Sequence, residues 1–171
     1  DSRNPDSKPF SVDRFMATWR QMEQLVDMGL TRFIGMSNMT IPKLEAVLPL
    51  FRIKPVAIEM ELHPSFQQPE LFRYCMDRGI QPIGFCPIGS PTRPDRDKDP
   101  NDVVDMQMPE LVEIAKAHNV HPAIICLKWA VQRGQTPIPF SIYENEYTSN
   151  LRCVTEDPLT EEEMKIMTSL D

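Results

Sequence analysis

The sequence predicts an α/β fold in which parallel strands are joined by helical crossovers. Three observations point there. Helical patterns stop at a glycine and an isoleucine strand follows at once: Asp27-Met28-Gly29 leads into Phe33-Ile34-Gly35, Asp77-Arg78-Gly79 into Pro82-Ile83-Gly84, and Gln132-Arg133-Gly134 into Pro137-Ile138-Pro139. Glycine supplies the left-handed residue at which helices commonly end. The strand segments are short apolar runs, as where Phe33 and Ile34 stand between Gly29 and small polar residues; strands covered on both faces have this pattern. Repetition of helix and strand makes βα units, whose sheet is parallel.

Bulk properties narrow the function classes. A chain of 171 residues is long enough for one domain with a core. Net charge is -7 and no basic stripe is present, so neither nucleic acid nor an acidic membrane is an expected partner. No apolar run reaches the length of a membrane span, and residues 1–10 are polar and proline-containing, unlike a signal peptide. Cys75, Cys86, Cys126 and Cys153 lack metal-like spacing. Free thiols packed in a cytoplasmic protein are expected.

The elements follow in order. Ser11 caps a helix in which Val12, Phe15, Met16, Trp19, Met22 and Val26 recur at helical spacing, and Gly29 ends it. That aromatic and methionine stripe is core. The first strand runs through Phe33 and Ile34 and ends at Ser37 and Asn38. Carboxyl ends of parallel strands point at ligands, and these two side chains can hydrogen-bond a carboxamide or a hydroxyl. The same pair also reads as a turn leading to the next helix. Thr40 can cap that helix, which runs through Leu44, Val47 and Leu48 with Pro42 in its first turn. The second strand covers 56–62. Alternation puts Val56, Ile58, Met60 and Leu62 on one face and Ala57, Glu59, Glu61 and His63 on the other. Two carboxylates and an imidazole on one face belong at a mouth, a network or a site; a metal site from Glu59, Glu61 and His63 is one reading.

A helix near 71–78 and a third strand over 80–85 come next. Residues 86–107 form a long charged loop with Pro87, Pro91, Pro94 and Pro100, a lid or binding loop, or over 93–102 a surface insertion. Leu111, Val112, Ile114 and Ala115 start a helical region, and Pro122 opens a second helix with Ile125, Leu127, Trp129 and Val131. The fourth strand is 137–140, a short helix covers 144–151, and a last helix spans 160–170, with Thr160 and Glu163 spaced as a capping box. One leading helix and four βα units make half of an eight-stranded barrel.

The motifs Gly35-Met36-Ser37-Asn38, Glu61-Leu62-His63-Pro64, Phe85-Cys86-Pro87-Ile88-Gly89-Ser90 and Trp129-Ala130-Val131-Gln132-Arg133-Gly134, with Ser141 and Asn150, together resemble the aldo-keto reductase family. They occur in that family's order and spacing from about Trp19 onward. The resemblance implies a (β/α)8 barrel of the TIM type that transfers hydride between NAD(P)H and an aldehyde, ketone or alcohol. Residues 1–171 are then the C-terminal half of that barrel domain, strands 5 to 8 with their helices. The family's Tyr, Asp, Lys and His acid-base set lies on the first four strands. His63 falls in the His-Pro motif, and Tyr74, Tyr143 and Tyr147 fall outside the catalytic tyrosine's motif, so no catalytic residue is assigned here.

The resemblance implies cofactor contacts instead. Ser37 and Asn38 match positions that hold the nicotinamide carboxamide. Phe85 matches a residue that stacks on the nicotinamide ring, and an aromatic face keeps that capacity without a hydroxyl. Cys86, Pro87, Ile88 and Ser90 match the loop beside the pyrophosphate. Ser141 and Asn150 match adenosine-side contacts. Ile58 and Glu59 stand where the family commonly has Asn-Gln; Glu59 can accept the carboxamide N–H bonds but cannot donate. Phe140 and Glu146 replace a lysine and an arginine that meet the ribose 2′-phosphate, which implies a preference for NADH. The implied partners are a small carbonyl or alcohol substrate and a missing N-terminal half, or a second copy. A non-catalytic binding or regulatory subunit and a metal-dependent barrel enzyme are the competing functions.

Overall fold

The computed structural model describes residues 8–89 and 104–171. Strands β1 (Gly35–Ser37), β2 (Ala57–Glu61), β3 (Gln81–Phe85) and β4 (Thr136–Pro137) form one parallel sheet in chain order. Helix α1 (Val12–Asp27) precedes the sheet. Helices α2 (Ile41–Val47) and α3 (Pro69–Met76) make the first two crossovers, and α4 (Pro109–Ala117) with α5 (Pro122–Gln132) the third. Helices α6 (Glu144–Arg152) and α7 (Glu161–Thr168) follow.

The expected punctuation is present. Gly29, Gly79 and Gly134 follow α1, α3 and α5 with φ of +70°, +67° and +91°. The Ser11 side chain accepts from the Arg14 N–H at the start of α1. At α7 the Thr160 hydroxyl accepts from the Glu163 N–H at 3.2 Å, and the Glu163 carboxylate accepts from the Thr160 N–H at 2.8 Å, completing the capping box. Thr40 precedes α2 but its side chain makes no capping bond.

Pleating decides which face each strand residue takes. Met36, Ile58, Met60 and Pro82 turn toward the helices, and Ile58 and Met60 are buried in a core with Met16, Trp19, Leu44 and Cys75. Gly35 and Ser37, Ala57, Glu59 and Glu61, and Gln81, Ile83 and Phe85 share the opposite, more open face. A second core joins Leu111, Ile125, Trp129, Leu159 and Met167 among α4, α5 and α7.

The strand expectations need three corrections. Phe33 is not in the sheet and is 64% exposed, whereas its neighbour Ile34 is buried; Phe33 has the parity of the open face and Ile34 that of the helix face. Val56 precedes the β2 ladder and is exposed despite its parity. The fourth strand pairs only at Thr136–Pro137, with one further bond from the Ile138 N–H to the Gly84 carbonyl. After Ile138 the chain leaves the β3 ladder, while Pro137 and Pro139 lack N–H groups on the side away from β3, and Phe140 is 87% exposed beyond it.

All four cysteines are free, with Cys75, Cys126 and Cys153 buried. Burial pushes the Cys75 thiol up to about 11, against the lowering influence of Arg78, so it packs as an inert apolar group. Among the described residues no helix is long and apolar enough to cross a membrane.

Candidate functional site

The carboxyl end of β1 places Ser37 and Asn38 in the open. The Asn38 side-chain amide donates to the Ser37 hydroxyl at 2.9 Å, and the Asn38 N–H donates to the Glu59 carbonyl at 2.9 Å. Asn38 takes φ +55°, a left-handed value that Asn tolerates better than most residues. Register sets Glu59 beside Ser37 and sets Phe85 across from Glu61. Ser37, Asn38, Glu59 and Phe85 are therefore brought to one end of one face. Ile58 is fully buried on the other face, so its apolar character serves the core and does not bear on this end of the sheet.

After Phe85 the chain turns sharply. Cys86 has φ +50° and Gly89 φ +72°, and the Gly89 N–H donates to the Cys86 carbonyl at 2.9 Å. Pro87 is buried inside this turn and Ile88 half-buried. A side chain at Gly89 would put its Cβ 3.2 Å from the Asp105 carboxyl carbon, so glycine meets both the backbone angle and the close approach. Ser90 and the proposed insertion 93–102 lie outside the described residues.

Asp105 is fully buried. It comes from a 3-10 turn, Asp105–Gln107, and its carboxylate lies 2.9 Å from the His63 Nδ1 and accepts from the Ser65 hydroxyl. The His63 Nε2 lies 3.3 Å from the Glu61 carboxylate. This is where the metal reading of Glu59, Glu61 and His63 fails to assemble: His63 sits past the ladder, engaged by Asp105 and Glu61. Among the described residues no three His, Cys, Asp or Glu side chains converge as a metal site. Nothing in the local sequence marks Asp105, which lies 42 residues from the histidine it meets.

The second part of the site is a cavity of about 700 Å³ between α5 and α6. Phe140, Glu146 and Asn150 line it, and Ile88 joins it to the turn after Phe85. The Ser141 hydroxyl donates to the Glu146 carboxylate at 2.5 Å and accepts from the Tyr143 N–H at 3.1 Å. Ser141 is thus bonded to one cavity-lining residue without lining the cavity itself.

The far wall holds groups that sequence reasoning missed. Lys128 is buried on α5 and its Nζ donates to the carbonyls of Glu156 and Asp157. His118 lies between Asp157, at 2.7 Å, and Glu163, at 2.9 Å. Burial pushes the Glu163 carboxyl up, but hydrogen bonds from Thr160 and the contact with His118 outweigh it and hold the group below its ordinary value. A lysine inside the apolar run Ile124–Trp129 was the one available signal for this wall, since a buried ammonium needs carbonyls or an anion.

The aldo/keto reductase family model matches residues 4–171. The chain is 35% identical over 170 residues to aldo-keto reductase family 1 member A1 of Xenopus tropicalis, covering 99% of this chain and 51% of that protein. It is 35% identical over 164 residues to family 1 member C3 of Homo sapiens, with 95% and 50% covered. A crystal structure of an aldo/keto reductase from Brucella melitensis superposes with a TM-score of 0.81 at 30% identity, over 95% of this chain and 57% of that one. The chain spans about half the length of the curated relatives it matches, and its parallel sheet with covering helices is the α/β architecture of about half a TIM barrel. On the family model and the similarity to these relatives, the chain belongs to the aldo/keto reductase family.

Proposed function

We propose that the protein carrying this chain is an NAD(P)H-dependent oxidoreductase acting on a small aldehyde, ketone or alcohol, and that this chain supplies the cofactor-binding half of its barrel. The observation that carries the reading is the Ser37 and Asn38 pair, exposed at the end of β1 beside Glu59 and two strands from Phe85. A nicotinamide dinucleotide suits these donors. Ser37 and Asn38 offer a hydroxyl and an amide to a carboxamide, Glu59 accepts its N–H groups, and Phe85 offers an aromatic face. Cys86, Pro87 and Ile88 form the turn toward the cavity, whose volume is in the range of small-molecule sites. Asn150 and, through Glu146, Ser141 stand at the adenosine end. When bound, the cofactor supplies or accepts the hydride. No side chain of this chain is assigned the transfer of a proton to the carbonyl oxygen, which falls to the half that completes the barrel. Four free thiols suit a cytoplasmic setting.

The test is an assay of the complete barrel against a panel of aldehydes and ketones, following nicotinamide absorbance. Turnover is expected from the complete protein and none from this chain alone, because general acid catalysis needs a positioned donor. Robust turnover by this chain alone would overturn the division of labour. Cofactor binding with no turnover on any substrate would favour a binding or regulatory subunit instead.

The cofactor is expected to be NADH rather than NADPH. A 2′-phosphate brings about two negative charges, and proteins meet it with Arg or Lys. Phe140 offers no charge, and the Glu146 carboxylate is at the cavity, bonded to Ser141. Forgoing one charge-assisted hydrogen bond costs about 1.5–3 kcal/mol, and the carboxylate adds repulsion that salt weakens. NADH is expected to bind at least about tenfold tighter, ~1.4 kcal/mol, in dissociation constants measured at one ionic strength. Arg152 lines the same cavity, 3.8 Å from Glu156. Equal or tighter NADPH binding would refute the preference, and its loss in Arg152→Ala would identify the cation responsible.

A further inference from the structure

We propose that Glu59 makes this site bind the oxidised, cationic nicotinamide ring more tightly than the reduced, neutral one. The inference rests on the cofactor reading above and concerns the charge that reading leaves beside the ring. Glu59 shares the open face with Ser37 and Ile83, its partners in register on either side. Its carbonyl is held by the Asn38 N–H, which fixes its backbone against the residues assigned to the carboxamide. Adjacent strands lie roughly 4.8 Å apart, so the carboxylate stands within one side-chain length of Ser37, which would hold that group.

Its neighbours do not neutralise it. Ser37, Asn38, Ile83 and Phe85 are uncharged. Among the described residues nothing pairs with the Glu59 carboxylate. Glu61, two residues on, differs in that the His63 Nε2 approaches it at 3.3 Å. Glu59 is thus the carboxylate on this face whose charge remains available to a ligand. The oxidised ring carries a positive charge and the reduced ring none, so a fixed anion favours the first selectively. An opposite charge within ~4–6 Å shifts a charge equilibrium by about ten- to thousandfold, and because Glu59 is half-exposed the lower end applies. By linkage, each tenfold in this ratio lowers the potential of the bound couple by about 30 mV, making the reduced form a stronger hydride donor in the site.

The experiment titrates the complete barrel calorimetrically with NAD+ and with NADH at one ionic strength, without substrate. NAD+ is expected to bind about tenfold tighter than NADH, and this ratio needs no variant to read. Glu59→Gln, which keeps the shape and the acceptor oxygen, is expected to remove most of the ratio by weakening NAD+ alone. Glu61→Gln is expected to change it much less, since His63 already engages that carboxylate. A ratio at or below one, a ratio unmoved by Glu59→Gln, or equal losses in both variants would overturn the proposal while leaving the cofactor reading intact. Failure of either nucleotide to bind would overturn that reading, and the proposal with it.

Discussion

Replacing Asp105 by alanine is expected to cost the folded barrel about 3–5 kcal/mol, the range for breaking a buried charged network from one side. The carboxylate is fully buried and meets both His63 and Ser65. Its removal takes away the buried acceptor shared by the His63 Nδ1 and the Ser65 hydroxyl, which lie 3.2 Å apart, and a buried polar group that loses a partner costs free energy. It also opens a void against Gly89, whose backbone packs on Asp105, so the turn carrying Cys86, Pro87 and Ile88 loses its support. Two losses are therefore expected together: a lower denaturant midpoint, and weaker dinucleotide binding at temperatures where the variant is still folded. Asp105→Asn keeps the volume and an acceptor for Ser65, and should cost less. A double-mutant cycle with His63→Ala separates the pair from its surroundings. A loss under about 1 kcal/mol for Asp105→Ala, the size of an exposed pair, would show that the cluster is not a buttress.

That cluster marks the boundary of what local sequence could tell. Punctuation was legible because it is a local property: Gly29, Gly79 and Gly134 sit at left-handed helix ends that glycine alone occupies without strain. The two faces of β2 were legible because pleating has a fixed period, which put Glu59 and Glu61 opposite Ile58 and Met60 before any contact was known. The Thr160 and Glu163 box spans three residues and needs nothing else. Phe33 and the residues after Pro137 failed because hydrophobicity was taken as burial. Phe33 faces the open side, and after Ile138 the chain leaves the β3 ladder, which leaves Phe140 exposed. Asp105, His118 and Lys128 failed for another reason. Each meets partners 28 or more residues away, and no periodicity encodes such a meeting. The candidate site divides in the same way. Family motifs pointed to Ser37, Asn38 and Phe85, which the fold brings to one end of one face, whereas the bond between Ser141 and Glu146 that brings a carboxylate to the cavity emerged only from the fold.

This chain by itself is expected not to persist as a well-behaved monomer. The sheet has four parallel strands, with β1 and β4 at its edges, and a parallel barrel needs its edges joined. The two edges are unlike. The Ile138 N–H is spent on Gly84, and the alternate residues Pro137 and Pro139, which face outward, have no N–H to offer. The β4 edge can therefore accept hydrogen bonds from a neighbouring strand but donates little, which weakens indiscriminate strand addition there. Apolar surface supplies the stronger drive. On α6 and its flanks Tyr143, Tyr147, Leu151 and Val154 recur at helical spacing and are all exposed, next to Phe140 and Ile142. Such a stripe is the face a helix normally buries, and a continuous exposed patch of this kind drives association. We propose that the other half of the barrel or a second copy covers it. Light scattering on the purified chain is expected to show dimers or larger species, and addition of the upstream half as a separate polypeptide is expected to convert them to a single complex. A monodisperse monomer with one cooperative unfolding transition would mean that these four strands and seven helices are stable without closure, and that the exposed stripe on α6 has no partner to find.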